Sequence, residues 1–268
     1  MSAAAKTRDE GSLPTLEITG SRATLRLNRP AVMNRVQPED IAEILRLLAA
    51  AEQDPAVRVL VIASTGKSFS AGAHLGDMAR QAEAGGIRET GGAGFEDMIN
   101  RIEMLTVPTI ARLHGGVYGG STDLALACDF RVGVSPGTVM FMPAARIGVH
   151  YYESGLRRYV SRLGLNHAKR LFMLAEEQSP EELLRIGYLT DLVAPSELDA
   201  RIDAIAARLG ELAPLAVQGA KLAINEIGHQ ALDVPALEAR IRAAKASEDI
   251  REGLAAFKEK RKPVFRGR

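Results

Sequence analysis

The chain is predicted to be an α/β protein with a helical C-terminal third, and three observations carry that expectation. Short β-branched runs such as Val57 to Ile62, VRVLVI, alternate with amphipathic helical stretches through the first part of the chain. Two glycine-rich corners, one containing FSAGAHL at Phe69 to Leu75 and one running from Leu113 to Asp129, sit where strand-like runs give way to turns or helices. After the strand near Val139 to Phe141, apolar residues recur mainly at helical spacing.

Leu16 to Ile18 and Ala23 to Leu27 read as short strands around a Gly20-Ser21 turn, with Asn28-Arg29-Pro30 as a second turn. Ile41, Ile44, Leu45 and Leu48 lie at helical spacing between Pro38 and Asp54, and proline suits a first helical turn, so a helix is expected there and Pro55 ends it. The strand VRVLVI leads into a small-residue loop from Ser64 to Gly76. Gln81 to Gly94, rich in glycine and alanine and without a period, is expected to be a mobile surface segment. A helix at Phe95 to Leu105 and strands at Thr109 to Leu113 and Phe130 to Val134 continue the alternation. Helices are then expected at Ser154 to Leu163, Asn166 to Leu174 and Ser179 to Ile186, the last opening with a Ser-Pro-Glu-Glu capping box. Tyr188 to Val193 is a brief extended return. Three amphipathic helices follow, at Glu197 to Leu212, Pro214 to Gly228 and Val234 to Lys245, and the basic end EDIREGLAAFKEKRKPVF closes the chain.

At 268 residues the chain can bury a sizeable core, divided here into a leader at 1–12, an α/β core at 13–195 and a helical region at 196–268. Hydrophobic content of 46% and a net charge of +1 give no basic excess for nucleic acid, and no apolar run reaches the length of a membrane span. The single cysteine, Cys128, rules out an internal disulfide, and its apolar neighbours point to a buried thiol; a reducing cytoplasm fits.

Chemistry is concentrated at the glycine corners. Gly115, Gly116, Gly119 and Gly120 crowd a strand end just before the helical segment Ser121 to Ala127. Glycine lets backbone approach a ligand closely, and a helix start carries unpaired N–H groups. Such a corner can hold an oxyanion; it lacks the spacing and lysine of a phosphate loop. Ala73 in one corner and Gly120 in the other could each give one N–H to a single carbonyl oxygen, stabilising the enolate or tetrahedral oxyanion of a thioester. The alternative is that the glycines serve only close packing of strand on helix.

Together these features resemble the enoyl-CoA hydratase/isomerase, or crotonase, family. LNRP at Leu27 to Pro30, VRVLVI, FSAGAHL, HGGVYGGSTDLALACD at His114 to Asp129 and REGLAAFKEKRKPVF at Arg251 to Phe265 carry the resemblance, which covers the chain from about Thr15 onward. It implies a crotonase-like repeated ββα spiral core, a helical C-terminal oligomerisation region, homo-trimers or hexamers, and an acyl-CoA thioester as partner. No separate cofactor is implied, since coenzyme A is part of the substrate. The family's oxyanion-hole donors fall on Ala73 and Gly120. Ser70, Ala71 and Leu75 would line the coenzyme A pocket, with Phe257 and Lys260 as further contacts.

Hydratases of the family hold a water between two glutamates. The first falls on Asp123, one methylene shorter, and the second on Ala144, which has no carboxylate. His150, Tyr152 and Glu153 lie close by in sequence, and Tyr152 or Glu153 occupies the place where other family members carry a catalytic aspartate. Each has a plainer reading: Asp123 complementing a helix dipole, Glu153 solvated at a helix start, His150 a satisfied loop histidine and His74 a surface residue. Arg157, Arg158 and Arg162 form one basic helical face that reads as solvated or facing another subunit. No histidine spacing suggests a metal. The expected activity is that of an enoyl-CoA hydratase, with isomerisation, a non-catalytic acyl-CoA binder and a carbon–carbon bond hydrolase as alternatives.

Overall fold

A computed structural model of the chain describes residues 11–73 and 94–268. The mobile segment expected at Gln81 to Gly94 therefore lies outside the described residues except for Gly94, as do His74, Leu75 and most of the leader.

The first part of the chain supplies strands β1 (Thr15–Thr19), β2 (Arg22–Leu27) and β3 (Val59–Ser64), with helix α1 (Pro38–Gln53) between the last two. Next come helix α2 (Phe95–Glu103), strands β4 (Thr109–Leu113) and β5 (Val117–Tyr118), and helix α3 (Ser121–Ala127). Strands β6 (Phe130–Val134) and β7 (Met140–Phe141) precede helix α4 (Glu153–Lys169), helix α5 (Pro180–Arg185) and strand β8 (Asp191–Val193). The sheet order is β1-β2-β3-β4-β6-β8, antiparallel between β1 and β2 and parallel elsewhere, and β5 pairs with β7 in a separate parallel ribbon. Every residue of β3 is buried, as expected for a parallel strand covered on both faces.

Alternation along the strands divides the core. Leu60 and Ile62 join Leu25, Ala111 and Leu113 on the face covered by α1, α2 and α3. Val59 and Val61 join Ile110, Val132 and Val134 on the other, where helix α6 (Leu198–Gly210) lays Leu198, Ile202 and Ala206.

Two expectations change. The helices expected on either side of Leu163 to Asn166 form one run broken at Gly164, whose φ of +78° leaves helical geometry. After helices α7 (Pro214–Gly228) and α8 (Val234–Ala246), the basic end is a further helix, α9 (Glu248–Glu259), started by Ser247, whose hydroxyl accepts from the Ile250 N–H at 3.2 Å. Its Ile250, Leu254 and Phe257 stand at helical spacing.

The helical region is anchored by buried polar bonds. Lys221 of α7 places its ammonium 2.8 Å from Asp129 and donates to the Val107 carbonyl, while Asn225 donates to the Glu103 carbonyl. These bonds fasten α7 to the C-terminal end of α2 and the segments after it.

Candidate active site

The two glycine corners pack directly on each other. Ser70 and Val117 form a parallel bridge, the Tyr118 N–H donates to Ser70 O at 2.9 Å, and the Ser121 hydroxyl donates to the same carbonyl at 2.6 Å. On the other side, Ala71 N donates to Met33 O and Val36 N to Gly72 O, so the loop is clamped along both edges. Gly72 has φ of +80°, and a Cβ there would lie 2.5 Å from the Gly120 nitrogen; both conformation and space require glycine. A Cβ on Gly120 would lie 3.5 Å from the Ala73 nitrogen and 2.6 Å from the Phe95 ring. Ala73 and Gly120 are both half-buried, and among the described residues neither N–H has a hydrogen-bond acceptor. Two unpaired donors in adjacent backbone segments are what an oxyanion site requires.

Ser70 and Ala71 occupy different surroundings. Ser70 is fully buried, and its hydroxyl donates to Asn34 O at 2.7 Å and accepts from the Gly72 N–H, so it braces the loop from within. Ala71 remains half-buried.

Asp123 stands one helical turn beyond Gly120, on α3, where every residue is buried. Its side chain and that of Arg158 are both 0% exposed, and Arg158 Nη1 lies 2.7 Å from each carboxylate oxygen. The Tyr152 hydroxyl donates to the same carboxylate at 2.5 Å. Arg158 also meets Glu103 at 2.9 Å and donates to Asn100, and Glu103 in turn meets Arg162 and His229. Burial raises the Asp123 pKa, more than the Arg158 charge and the two hydrogen bonds lower it. Burial also pushes Glu103 up, but Arg158, Arg162 and His229 together hold it below the ordinary range. The Tyr152 phenol is raised by burial and by the adjacent Asp123 charge, so its proton stays on oxygen at neutral pH.

Tyr152 is held in place by an aromatic cluster. Its ring stacks on Tyr151 with centroids 4.3 Å apart, and Tyr151 packs against Phe172 and Tyr159. Gly155 makes room for the stack, since a Cβ there would lie 2.5 Å from the Tyr151 ring and 2.7 Å from that of Tyr152. On α3 itself, Thr122 is bonded to Tyr159 and Tyr188.

The remaining candidates sit apart from this centre. Glu153, in the first turn of α4, is 79% exposed and accepts two hydrogen bonds from Arg157. His150 is exposed and lines, with Tyr151, Glu153, Arg157 and His229, an open groove of about 560 Å³. Phe257 is 87% exposed on α9, which packs on α8, and Lys260 ends that helix in the left-handed region. Ala144 is buried. Burial pushes the Cys128 thiol up to about 12, leaving an inert core side chain.

Of the basic face on α4, only Arg157 is solvated; Arg158 is buried and Arg162 partly so. Arg158 is the residue that sequence reasoning missed. Its signal lay elsewhere: Asp123 and Glu103 stand among apolar residues on their helices, and buried carboxylates need a cation. Among the described residues no group of three or more histidine, cysteine, aspartate or glutamate side chains could hold a metal, and no helix is long and apolar enough to cross a membrane.

Comparison with known proteins gives concordant matches. The enoyl-CoA hydratase/isomerase family model matches residues 17–268. A crotonyl-CoA hydratase of Syntrophomonas wolfei is 34% identical over 253 residues, covering 93% of this chain and 96% of that protein. The enoyl-CoA isomerase/hydratase fer4 of Mycosarcoma maydis is 30% identical, covering 90% of this chain and 91% of that protein. The crystal structure of an enoyl-CoA hydratase from Bacillus anthracis superposes with a TM-score of 0.81 at 27% identity, over 96% of this chain and 100% of that one.

Proposed function

The chain belongs to the enoyl-CoA hydratase/isomerase family, and from that premise we propose that it shifts the double bond of an enoyl-CoA thioester through an enolate. The Ala73 and Gly120 N–H groups bind the thioester oxygen, and the Asp123–Tyr152 pair moves the proton. Coenzyme A enters as part of the substrate, with the half-buried Ala71 at its pocket. One observation supports this choice above others: the buried Asp123 carboxylate lies one helical turn from Gly120, whose N–H, like that of Ala73 beside it, has no acceptor among the described residues, and position 144, where a second acid would stand, is a buried alanine. Isomerisation needs one proton-transfer centre, whereas hydration in this family uses two carboxylates around a water.

Hydration is the second reading, favoured by the name of the Syntrophomonas wolfei relative, a crotonyl-CoA hydratase, with Glu153 as the added acid. Its carboxylate is exposed and tied to Arg157, so Glu153 would have to leave that partner to act. Assays of crotonyl-CoA hydration and 3-enoyl-CoA isomerisation on the same preparation separate the two. Faster isomerisation is expected; efficient hydration lost in Glu153→Gln overturns the preference. Binding of acyl-CoA without turnover would point instead to a non-catalytic binder, and failure to bind any CoA ester to a carbon–carbon bond hydrolase.

Self-association into a trimer or hexamer and a cytoplasmic location belong to the same proposal. Ile224 and Ile227 of α7 and Leu254 of α9 are exposed, and burying them between copies supports assembly. Sedimentation of the purified chain tests this, and a monomer at micromolar concentration counts against it.

A further inference from the structure

A carboxylate that no solvent reaches cannot touch a substrate carbon as it stands. Asp123 is in that position: its side chain is 0% exposed, Arg158 occupies both oxygens, and the Tyr152 hydroxyl covers one of them. Tyr152, by contrast, keeps part of its surface open and is held by stacking on Tyr151. We infer that the Tyr152 hydroxyl is the catalytic group that meets the acyl chain, and that Asp123 acts through it as the acceptor of a relayed proton.

The relay, which rests on the enolate chemistry proposed above, balances without a co-reactant. As the C2–H bond of a 3-enoyl thioester breaks, its proton goes to the Tyr152 oxygen and its electron pair into the dienolate held by the Ala73 and Gly120 N–H groups. In the same step the Tyr152 O–H bond breaks and that proton passes to Asp123. Reversal at C4 forms the new C–H bond from the Tyr152 proton while Asp123 returns its own, restoring the starting protein. The negative charge moves from carboxylate to dienolate and back, and no free tyrosinate forms. Burial of Asp123 supports this direction, because it raises the basicity of the carboxylate.

The test follows exchange of the C2 hydrogens of butyryl-CoA in deuterated water by NMR, beside 3-enoyl-CoA isomerisation. Tyr152→Phe keeps the ring and its stack and removes only the hydroxyl. Exchange and kcat are expected to fall about 100-fold or more with KM nearly constant, Asp123→Asn to lose as much, and the double variant to lose little further. 3-Fluorotyrosine at position 152 keeps the shape while acidifying the hydroxyl, and is expected to change the exchange rate and its pH profile; it also serves if Tyr152→Phe folds poorly. Exchange in Tyr152→Phe within about three-fold of the parent, or an unchanged profile with fluorotyrosine, overturns the relay while leaving the isomerase reading intact. A parent chain that binds butyryl-CoA but neither exchanges nor isomerises it overturns both.

Discussion

Arg158 Nη1 stands 2.7 Å from both carboxylate oxygens of Asp123, and neither side chain has any exposed surface. A pair buried so completely does little for net stability, because desolvation offsets most of the attraction, yet removing one member leaves an uncompensated charge. Its role is to hold the carboxylate at a fixed point beneath Tyr152.

Replacing Arg158 with Met should therefore cost about 3–5 kcal/mol at neutral pH. The cost should depend on pH. Burial raises Asp123 even in the parent, and Glu103 is held low only by Arg158 together with Arg162 and His229. Without the guanidinium both folded-state values rise. A carboxyl raised in the folded state carries no penalty below its unfolded value, 3.8 for Asp123 and 4.5 for Glu103; the penalty grows as pH climbs from there to the folded value and is constant above it. Denaturant melts of parent and variant should differ least near about pH 4 and most near neutrality; a difference independent of pH would contradict the assignment.

Gly155→Ala tests the seat of Tyr152. The added methyl would meet the stacked rings at 2.5 and 2.7 Å, so one ring must move. A loss of about 1–3 kcal/mol is expected from overpacking, together with a drop in turnover and near-constant affinity for CoA esters by calorimetry. Full activity would show that the Tyr152 position is not critical.

At Gly120 the methyl of alanine would stand 3.5 Å from the Ala73 nitrogen, in the space assigned to the thioester oxygen, and 2.6 Å from the Phe95 ring. The N–H is kept but crowded out of position, so turnover is expected to fall about 100-fold, the scale of a misplacement of about 1 Å, with a smaller change in the thermal midpoint. Retained turnover would remove Gly120 from the site.

Glu153→Gln removes an exposed i,i+4 partner of Arg157. Such pairs contribute roughly 0.2–1 kcal/mol, so melting should hardly change, and 3-enoyl-CoA isomerisation should continue near the parent rate. Loss of isomerisation would place Glu153 in the proton transfer.

Much of this molecule can be read along the chain. The α/β alternation, the all-buried β3 and the helix from Pro38 follow from periodicity and from proline and glycine punctuation, because those signals depend on near neighbours. Each corner's glycines are local signals too, but pairing Ala73 with Gly120 rests on the family resemblance, and their backbone segments meet only in the fold. Helix α9 is expected only as a basic chain end, although Ile250, Leu254 and Phe257 stand at helical spacing and Ser247 is ready as its cap.

What the sequence determined, then, is the family, the alternation of elements and the two local corners. The partnership of Asp123 with Arg158 and Tyr152 was decided only by tertiary structure. These three residues lie on helix α3, within helix α4 and just ahead of it, and nothing local distinguishes Arg158 from its solvated neighbour Arg157. Packing of α4 over α3 and α2 turns one arginine inward to two buried carboxylates and leaves the other in water. A charge selects its partner through desolvation, and desolvation is a property of the packed molecule rather than of its order along the chain.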